Sequence, residues 1–107
     1  MAKFKLQPEP TFKAPVEIPV PGDGLVKVNF TFKYRDRDAM KAFLAKVSDP
    51  ESQMTDEELI EEMCAGWELT DPFERASIEL LVKNYIRATS AIFEKYLDEH
   101  TKAREKN

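Results

Sequence analysis

Cys64 and His100 are the two side chains in this sequence that could supply a nucleophilic thiol and an imidazole base. A thiol hydrolase uses such a pair, but it also needs a group that orients the imidazole and donors that stabilise an oxyanion. The chain has one cysteine and one histidine, and no recognised motif surrounds either of them. Helical spacing instead indicates that Cys64 is buried in an apolar stripe and that His100 lies near a helix C-terminus. We therefore predict no catalytic residue and a protein that is not an enzyme.

A cluster of four glutamates could suggest a carboxylate metal site: Glu57, Glu58, Glu61 and Glu62. Dinuclear carboxylate sites in helical bundles also use a Glu-x-x-His pair, and none of these glutamates has a histidine three residues later. Residues 21–24, with the sequence PGDG, lack the spacing of a phosphate-binding loop and indicate a turn. No metal site and no cofactor site is therefore predicted.

The same four glutamates belong to a strongly acidic segment. Ten acidic residues and no basic residue lie between Lys46 and Arg75, while the chain as a whole carries a net charge of −4. Because both flanks of this segment are net positive, the four glutamates are candidates for self-association with the basic flank of a neighbouring copy. A basic protein partner and a solvated helix face that binds nothing are the open alternatives.

The charge distribution argues against nucleic acid as a ligand, because phosphate binding requires a clustered basic face on a positive domain. Residues 33–37, KYRDR, alternate basic residues with aspartate, so we expect a solvated strand end there. No apolar run reaches the roughly 18–20 residues of a membrane span, and the N-terminal sequence lacks a signal-peptide pattern. We therefore expect a cytoplasmic protein that contacts neither nucleic acid nor membrane.

Length and composition predict a single domain over residues 1–107, because 42% of the residues are hydrophobic and a chain of this size forms one core. Alternating apolar residues predict a β-hairpin over residues 11–34, after an extended arm over residues 1–10. Pro15 and Pro19 fall on the outward-pointing set of the first strand, which predicts an edge strand with a pairing edge open to strand addition. Helices must cover the apolar face of the hairpin, because a lone hairpin is marginally stable.

The helical part is predicted over residues 36–103, followed by a frayed tail over residues 104–107. A first helix begins at Asp36 and ends at the sequence SDP. A second begins with a capping box formed by Thr55 and Glu58, and Gly66 is placed where a helix ends in a left-handed residue.

A third helix is predicted to begin with Asp71 as N-cap and Pro72 at its first position. One helix from there to residue 103 would be too long for a domain of this size, so a break is expected between Asn84 and Thr89. The predicted fold class is α+β and predominantly helical, with the hairpin packed on about four helices.

Trp67 and Phe73 are the candidate structural anchors. Trp67 lies in the predicted short connection between the second and third helices, where a large aromatic side chain can close one corner of the core. The stretch from Cys64 to Phe73 is therefore interpreted as a packed joint between helices and not as a reactive site.

Several segments, taken in order, resemble one known protein family: PTFKAPVEIPVPG, VNFTFKYRDRD, GW, DPF, IFEKYL and REKN. Together they span nearly the whole chain, and their order and spacing resemble the tail assembly chaperones of long-tailed, non-contractile bacteriophages of the lambdoid siphophage type.

The resemblance implies a small non-enzymatic protein in the cytoplasm of the infected host. Such chaperones bind the long, aggregation-prone tape measure protein, keep it soluble and help tail tube subunits polymerise around it. They leave before the virion is finished, and they can self-associate into a spiral. The implied partners are therefore the tape measure protein, the tail tube protein and further copies of the chain.

Two other classes of protein stay open at this point. A structural tail component, such as a connector or tube-end protein, would use the hairpin as part of a ring. A small regulatory binding module such as an antitoxin is also conceivable, but the sequence lacks the basic DNA-reading element that such a module usually has.

Overall fold

The computed structural model describes residues 4–102, in which an antiparallel three-stranded sheet is combined with four helices. The elements are β1 (Thr11–Val20), β2 (Gly24–Lys33), α1 (Arg37–Ser48), α2 (Asp56–Met63), β3 (Cys64–Trp67), α3 (Arg75–Asn84) and α4 (Ala88–Thr101). Helix makes up 44% of the described residues and strand 24%, which confirms the predicted α+β class with an N-terminal hairpin and four helices. The predicted tail at 104–107 and the first three arm residues lie outside the described range.

The hairpin of β1 and β2 forms as the alternating pattern predicts. Its register runs from Thr11 opposite Lys33 to Val20 opposite Gly24. Gly22 and Gly24 have φ angles of 87° and 76°, and nothing lies within 4 Å of a Cβ built on either residue. The turn therefore needs glycine for its backbone conformation and not for space.

The two prolines of β1 occupy positions where they remove donors from the free edge of the sheet. The N–H of Tyr34 donates to the carbonyl of Pro10 at 2.8 Å, which sets the phase of the antiparallel ladder. Even-numbered residues of β1 thus direct their backbone N–H and C=O groups toward β2, and odd-numbered residues direct theirs toward the free edge of the sheet. Pro15 and Pro19 are odd-numbered, so the predicted pairing edge keeps adjacent outward donors only at its start, near Thr11 and Lys13.

A third strand, β3, replaces the predicted connection between helices. It pairs with β2, with Phe30 opposite Trp67 and Thr31 opposite Gly66. The second edge of β2 carries unpaired backbone groups, and pairing with β3 satisfies them. The chain therefore becomes extended at Cys64 (φ −120°, ψ 146°), directly after α2.

The prediction for Gly66 was wrong for the same reason. Gly66 lies inside β3 and does not have a positive φ, so it does not terminate a helix in the left-handed region. The predicted start of the third helix was also wrong, because α3 begins at Arg75 with Glu74 at its N-cap. The carbonyl of Asp71 accepts a hydrogen bond from the indole Nε1–H of Trp67 at 2.8 Å, which holds this stretch outside the helix.

The other helix boundaries follow the sequence signals. The Asp36 side chain accepts a hydrogen bond from the N–H of Ala39, and Thr55 and Glu58 form the predicted capping box. The predicted break is confirmed, because α3 ends at Asn84 and α4 begins at Ala88. Both caps depend on residues three positions apart, which explains why sequence alone located them.

The core lies between the inner face of the sheet and the helices. Phe30 and Phe32 project from β2 and are almost completely buried, and the Phe32 ring packs 5.6 Å from the ring of Tyr96 in α4. Ile60 in α2 and Ile78 in α3 complete the same cluster. The helices therefore cover the hairpin face that could not remain exposed to water.

Trp67 and Phe73 meet at the end of β3. Their rings pack edge to face at 5.0 Å, and the indole packs in the same manner against Phe30 at 6.0 Å. Trp67 thus links the sheet to the segment before α3, but its role as an anchor remains a prediction.

Replacing Trp67 tests that role. Trp67→Ala removes both aromatic contacts and the indole hydrogen bond, and should lower the free energy of unfolding by about 2–3 kcal/mol. Trp67→Phe keeps an aromatic ring and should cost about 1 kcal/mol, mainly through the lost hydrogen bond. Urea denaturation followed by circular dichroism measures both variants. Equal stability of Trp67→Ala and the wild type would show that the indole does not anchor the fold.

Candidate functional site

Cys64 and His100 do not form a catalytic pair. Cys64 is buried, and burial raises the pKa of its thiol to about 12, so the thiolate is absent at neutral pH. His100 accepts a hydrogen bond from the N–H of Arg35 at Nε2 (3.2 Å), while its Nδ1 lies 2.8 Å from the carbonyl oxygen of Tyr96. Both ring nitrogens are thus engaged in holding the chain after β2 against α4.

Arg35 corrects the expectation of a solvated strand end. Its side chain is only 17% exposed, and it donates hydrogen bonds to the carbonyl and carboxylate of Glu62 at 2.7 and 2.8 Å. It also donates to the hydroxyl of Tyr96 at 2.8 Å, and its guanidinium lies 4.4 Å from the ring centroid of Phe43. Arg35 thereby links the end of β2 to α1, α2 and α4 through charge-assisted hydrogen bonds and a cation–π contact.

The four glutamates proposed for self-association differ in their surroundings. Glu58 closes the capping box, Glu61 pairs with Arg75, and Glu62 pairs with Arg35 and more distantly with Lys46 at 3.5 Å. Glu57 has no hydrogen bond or ion pair to any residue in the range 4–102. Much of the negative charge on α2 is therefore balanced inside the molecule. Self-association through these glutamates remains a prediction, and Glu57 is the member with an uncommitted carboxylate.

The ion pair of Glu61 gives a prediction for the pH dependence of stability. Arg75 donates two hydrogen bonds to the Glu61 carboxylate, at 2.9 and 2.5 Å, and these hold its pKa below the ordinary value of 4.5. The folded pKa is thus lower than the unfolded one, so this contribution is present above pH 4.5 and is lost as the pH falls through the folded pKa. Both side chains are partly exposed, so solvent screens the pair and its contribution is small.

Glu61→Gln should remove that contribution at pH 7 and should make stability fall less steeply below pH 4.5. Glu57→Gln is the matched control on the same helix, and it should keep the wild-type slope. Urea denaturation between pH 3 and 7 measures the slopes. A wild-type slope in Glu61→Gln would mean that the pair with Arg75 does not stabilise the folded state.

A concavity with a mainly apolar lining lies at the turn end of the hairpin. It has a volume of about 370 Å³ and lies between the hairpin, the end of β3 and α3. Its lining residues are Ile18, Val20, Val26, Val28, Trp67, Leu69, Asp71, Ser77, Leu80, Leu81, Asn84 and Tyr85. We refer to this set as the apolar groove.

Three large side chains of the apolar groove are exposed to solvent. Val26 is 41% exposed, Leu69 42% and Leu80 59%. Ligand sites are concave and mostly apolar, with a few polar groups at the margin, and the single charged lining residue here is Asp71. The groove is therefore suited to an apolar segment of another chain and not to a charged small molecule.

Sequence reasoning missed the apolar groove. Leu80 is the residue that could have indicated it. It is a large apolar side chain on the exposed side of α3, where a polar residue would be expected. Val26 follows the alternating apolar pattern of the hairpin, but that pattern does not show that its side chain stays 41% exposed beside α3. The groove depends on where α3 ends relative to the sheet, and no local pattern specifies this distance.

Comparison with known proteins places the chain in a family. The family model described as phage tail assembly chaperone matches residues 1–107, and this confirms the resemblance seen in the sequence. No curated protein and no solved structure matches significantly. Within residues 4–102, no helix has the length and apolar character needed to cross a membrane.

Proposed function

The chain belongs to the phage tail assembly chaperone family, and we propose that it binds the tape measure protein, keeps it soluble and promotes polymerisation of the tail tube around it. The structural observation that supports this proposal is the apolar groove. A protein that protects an aggregation-prone partner needs an exposed apolar surface that does not collapse into its own core. Val26, Leu69 and Leu80 supply such a surface on a rigid frame of strand and helix.

We propose that an apolar segment of the tape measure protein lies in the apolar groove. Fully burying one large apolar side chain contributes about 1.5–3 kcal/mol, and part of this is offset by the ordering of the bound segment. The groove volume of about 370 Å³ lies near the lower end of the roughly 300–1,000 Å³ that ligand pockets span, so it accommodates only a few side chains. Each contact should therefore be weak and reversible, which suits a chaperone that must release its partner as the tube grows.

We further propose that the protein acts in the host cytoplasm, contacts the tail tube protein during polymerisation and is absent from the finished virion. Release fits the weak contact expected from the groove. The alternative function, a structural ring component of the tail, requires the protein to remain in the virion.

Co-expression with the tape measure protein tests the proposed role of the groove. Leu80→Asp places a charge in the apolar groove and should reduce the soluble fraction of the tape measure protein several-fold, because a buried unpaired carboxylate is costly. Leu44→Asp is the matched control, since Leu44 is 37% exposed on α1 and does not line the groove. The readout is the soluble tape measure protein after centrifugation, with folding of each variant checked by circular dichroism.

An equal loss of solubility with both variants would exclude the groove as the binding site. Purified virions provide an independent test of the function itself. Mass spectrometry should find the tape measure protein but not this chain in finished particles. Stoichiometric amounts of the chain in virions would favour the structural ring component instead.

A further inference from the structure

The N-terminal arm exposes two large apolar side chains that contact almost nothing. Phe4 and Leu6 are each 92% exposed, which is far above the exposure of most apolar residues in a folded chain. The arm continues directly into β1, and Pro8 and Pro10 favour an extended backbone along it. The molecule therefore carries an extended apolar segment at one end of the hairpin and an open apolar groove at the other.

We propose that the N-terminal arm of one copy lies in the apolar groove of a second copy, with Phe4 and Leu6 packed against Val26, Leu69 and Leu80. The chain supplies both halves of this contact, a segment with two apolar anchors and a concavity lined by apolar residues. Binding covers five side chains that are otherwise exposed to water.

The arm does not reach the hairpin wall of its own groove. The hydrogen bond from the N–H of Tyr34 to the carbonyl of Pro10 fixes the chain at Pro10, so the arm can fold back only from that residue. Ile18 is the first groove residue along β1 and lies eight residues beyond Pro10, or about 26 Å at the rise of a β-strand. Phe4 lies six residues before Pro10, so its Cα reaches at most about 22 Å even if the arm folds straight back. An arm that fills the groove must therefore come from a second copy.

Charge favours the same pairing. Lys3 and Lys5 flank Phe4 in the sequence, whereas Asp71 lines the groove in the acidic stretch before α3. Lys5 pairs with Glu9 inside the arm, but this pair is exposed and contributes little, so it can be exchanged for a contact to the neighbouring copy. The arm thus presents positive charge beside its apolar residues, and the groove presents negative charge beside its own.

Each copy then has one donor segment and one acceptor groove at opposite ends of the hairpin. Such a contact either closes as a reciprocal dimer or repeats head to tail into a ring or filament. If the tape measure protein binds in the same groove, as the proposed function holds, the arm of a neighbouring copy and the tape measure segment compete for it. The contact between copies does not depend on binding of the tape measure protein.

Disulfide trapping between two variants tests the contact directly. Leu6→Cys and Leu80→Cys proteins are mixed under mild oxidation, and the native Cys64 stays unreactive because it is buried and its thiol pKa is about 12. Epitope tags on the two proteins identify the mixed dimer on a non-reducing gel. Leu6→Cys mixed with Leu44→Cys is the control, since Leu44 does not line the groove.

The mixed dimer of Leu6→Cys and Leu80→Cys should form at least tenfold faster than that of the control pair. Equal rates would overturn the proposal. In a second measurement, the double variant Phe4→Ser, Leu6→Ser should lower the mass of the assembled protein in light scattering without changing the melting temperature, because both residues are exposed. An unchanged mass, or a wild type that is monomeric at every concentration, would also overturn it.

Glu57→Lys separates this contact from self-association through the acidic helix. If Glu57→Lys dissociates the assembly and the arm variant does not, the interface is on α2 and the arm proposal fails. Solubility of the tape measure protein is measured with the arm variant in parallel. Retained solubility together with lost self-association would support the arm contact and leave the proposed function intact, whereas normal self-association of the arm variant would overturn the arm contact whatever the solubility of the tape measure protein.

Discussion

Pairing of β2 on both of its edges is the constraint that organises this molecule. β1 satisfies one edge by the hairpin turn, and the other edge needs a partner from a distant part of the chain. β3 supplies that partner in only four residues, and this forces the chain to leave α2 in an extended conformation. Trp67 is thereby placed beside Phe30, and the segment that follows sets the position of α3 and of one wall of the apolar groove.

The sequence predicted those features that depend on residues close together in the chain. The turn glycines, the Asp36 cap and the capping box at Thr55 each involve residues within a few positions of one another. Arg35 was predicted to be solvated because its hydrogen-bond partners lie 27 to 65 residues away in the chain, and the local alternation of charge does not show them. β3 was missed for the same reason, since a four-residue strand without alternation is defined by its neighbour and not by its own pattern.

The sequence predicted the class of function but not the position of the candidate site. The lack of catalytic motifs and the family resemblance predicted an assembly role, whereas the apolar groove became visible only in the packed structure. The groove has a mainly apolar lining and a volume of about 370 Å³, and both follow from the packing of α3 and the end of β3 against the hairpin. The hydrogen bonds of Arg35 join the chain after β2 to α2 and α4.

The two prolines of β1 also limit how the free edge of the sheet can pair with other chains. A sheet edge with a full row of donors acts as a template on which further chains can stack into cross-β fibrils. Pro15 and Pro19 interrupt that row at every second outward position in the half of β1 nearest the turn. The fold can therefore expose hydrophobic side chains at its groove while withholding the continuous backbone pairing on which an amyloid-like deposit would grow.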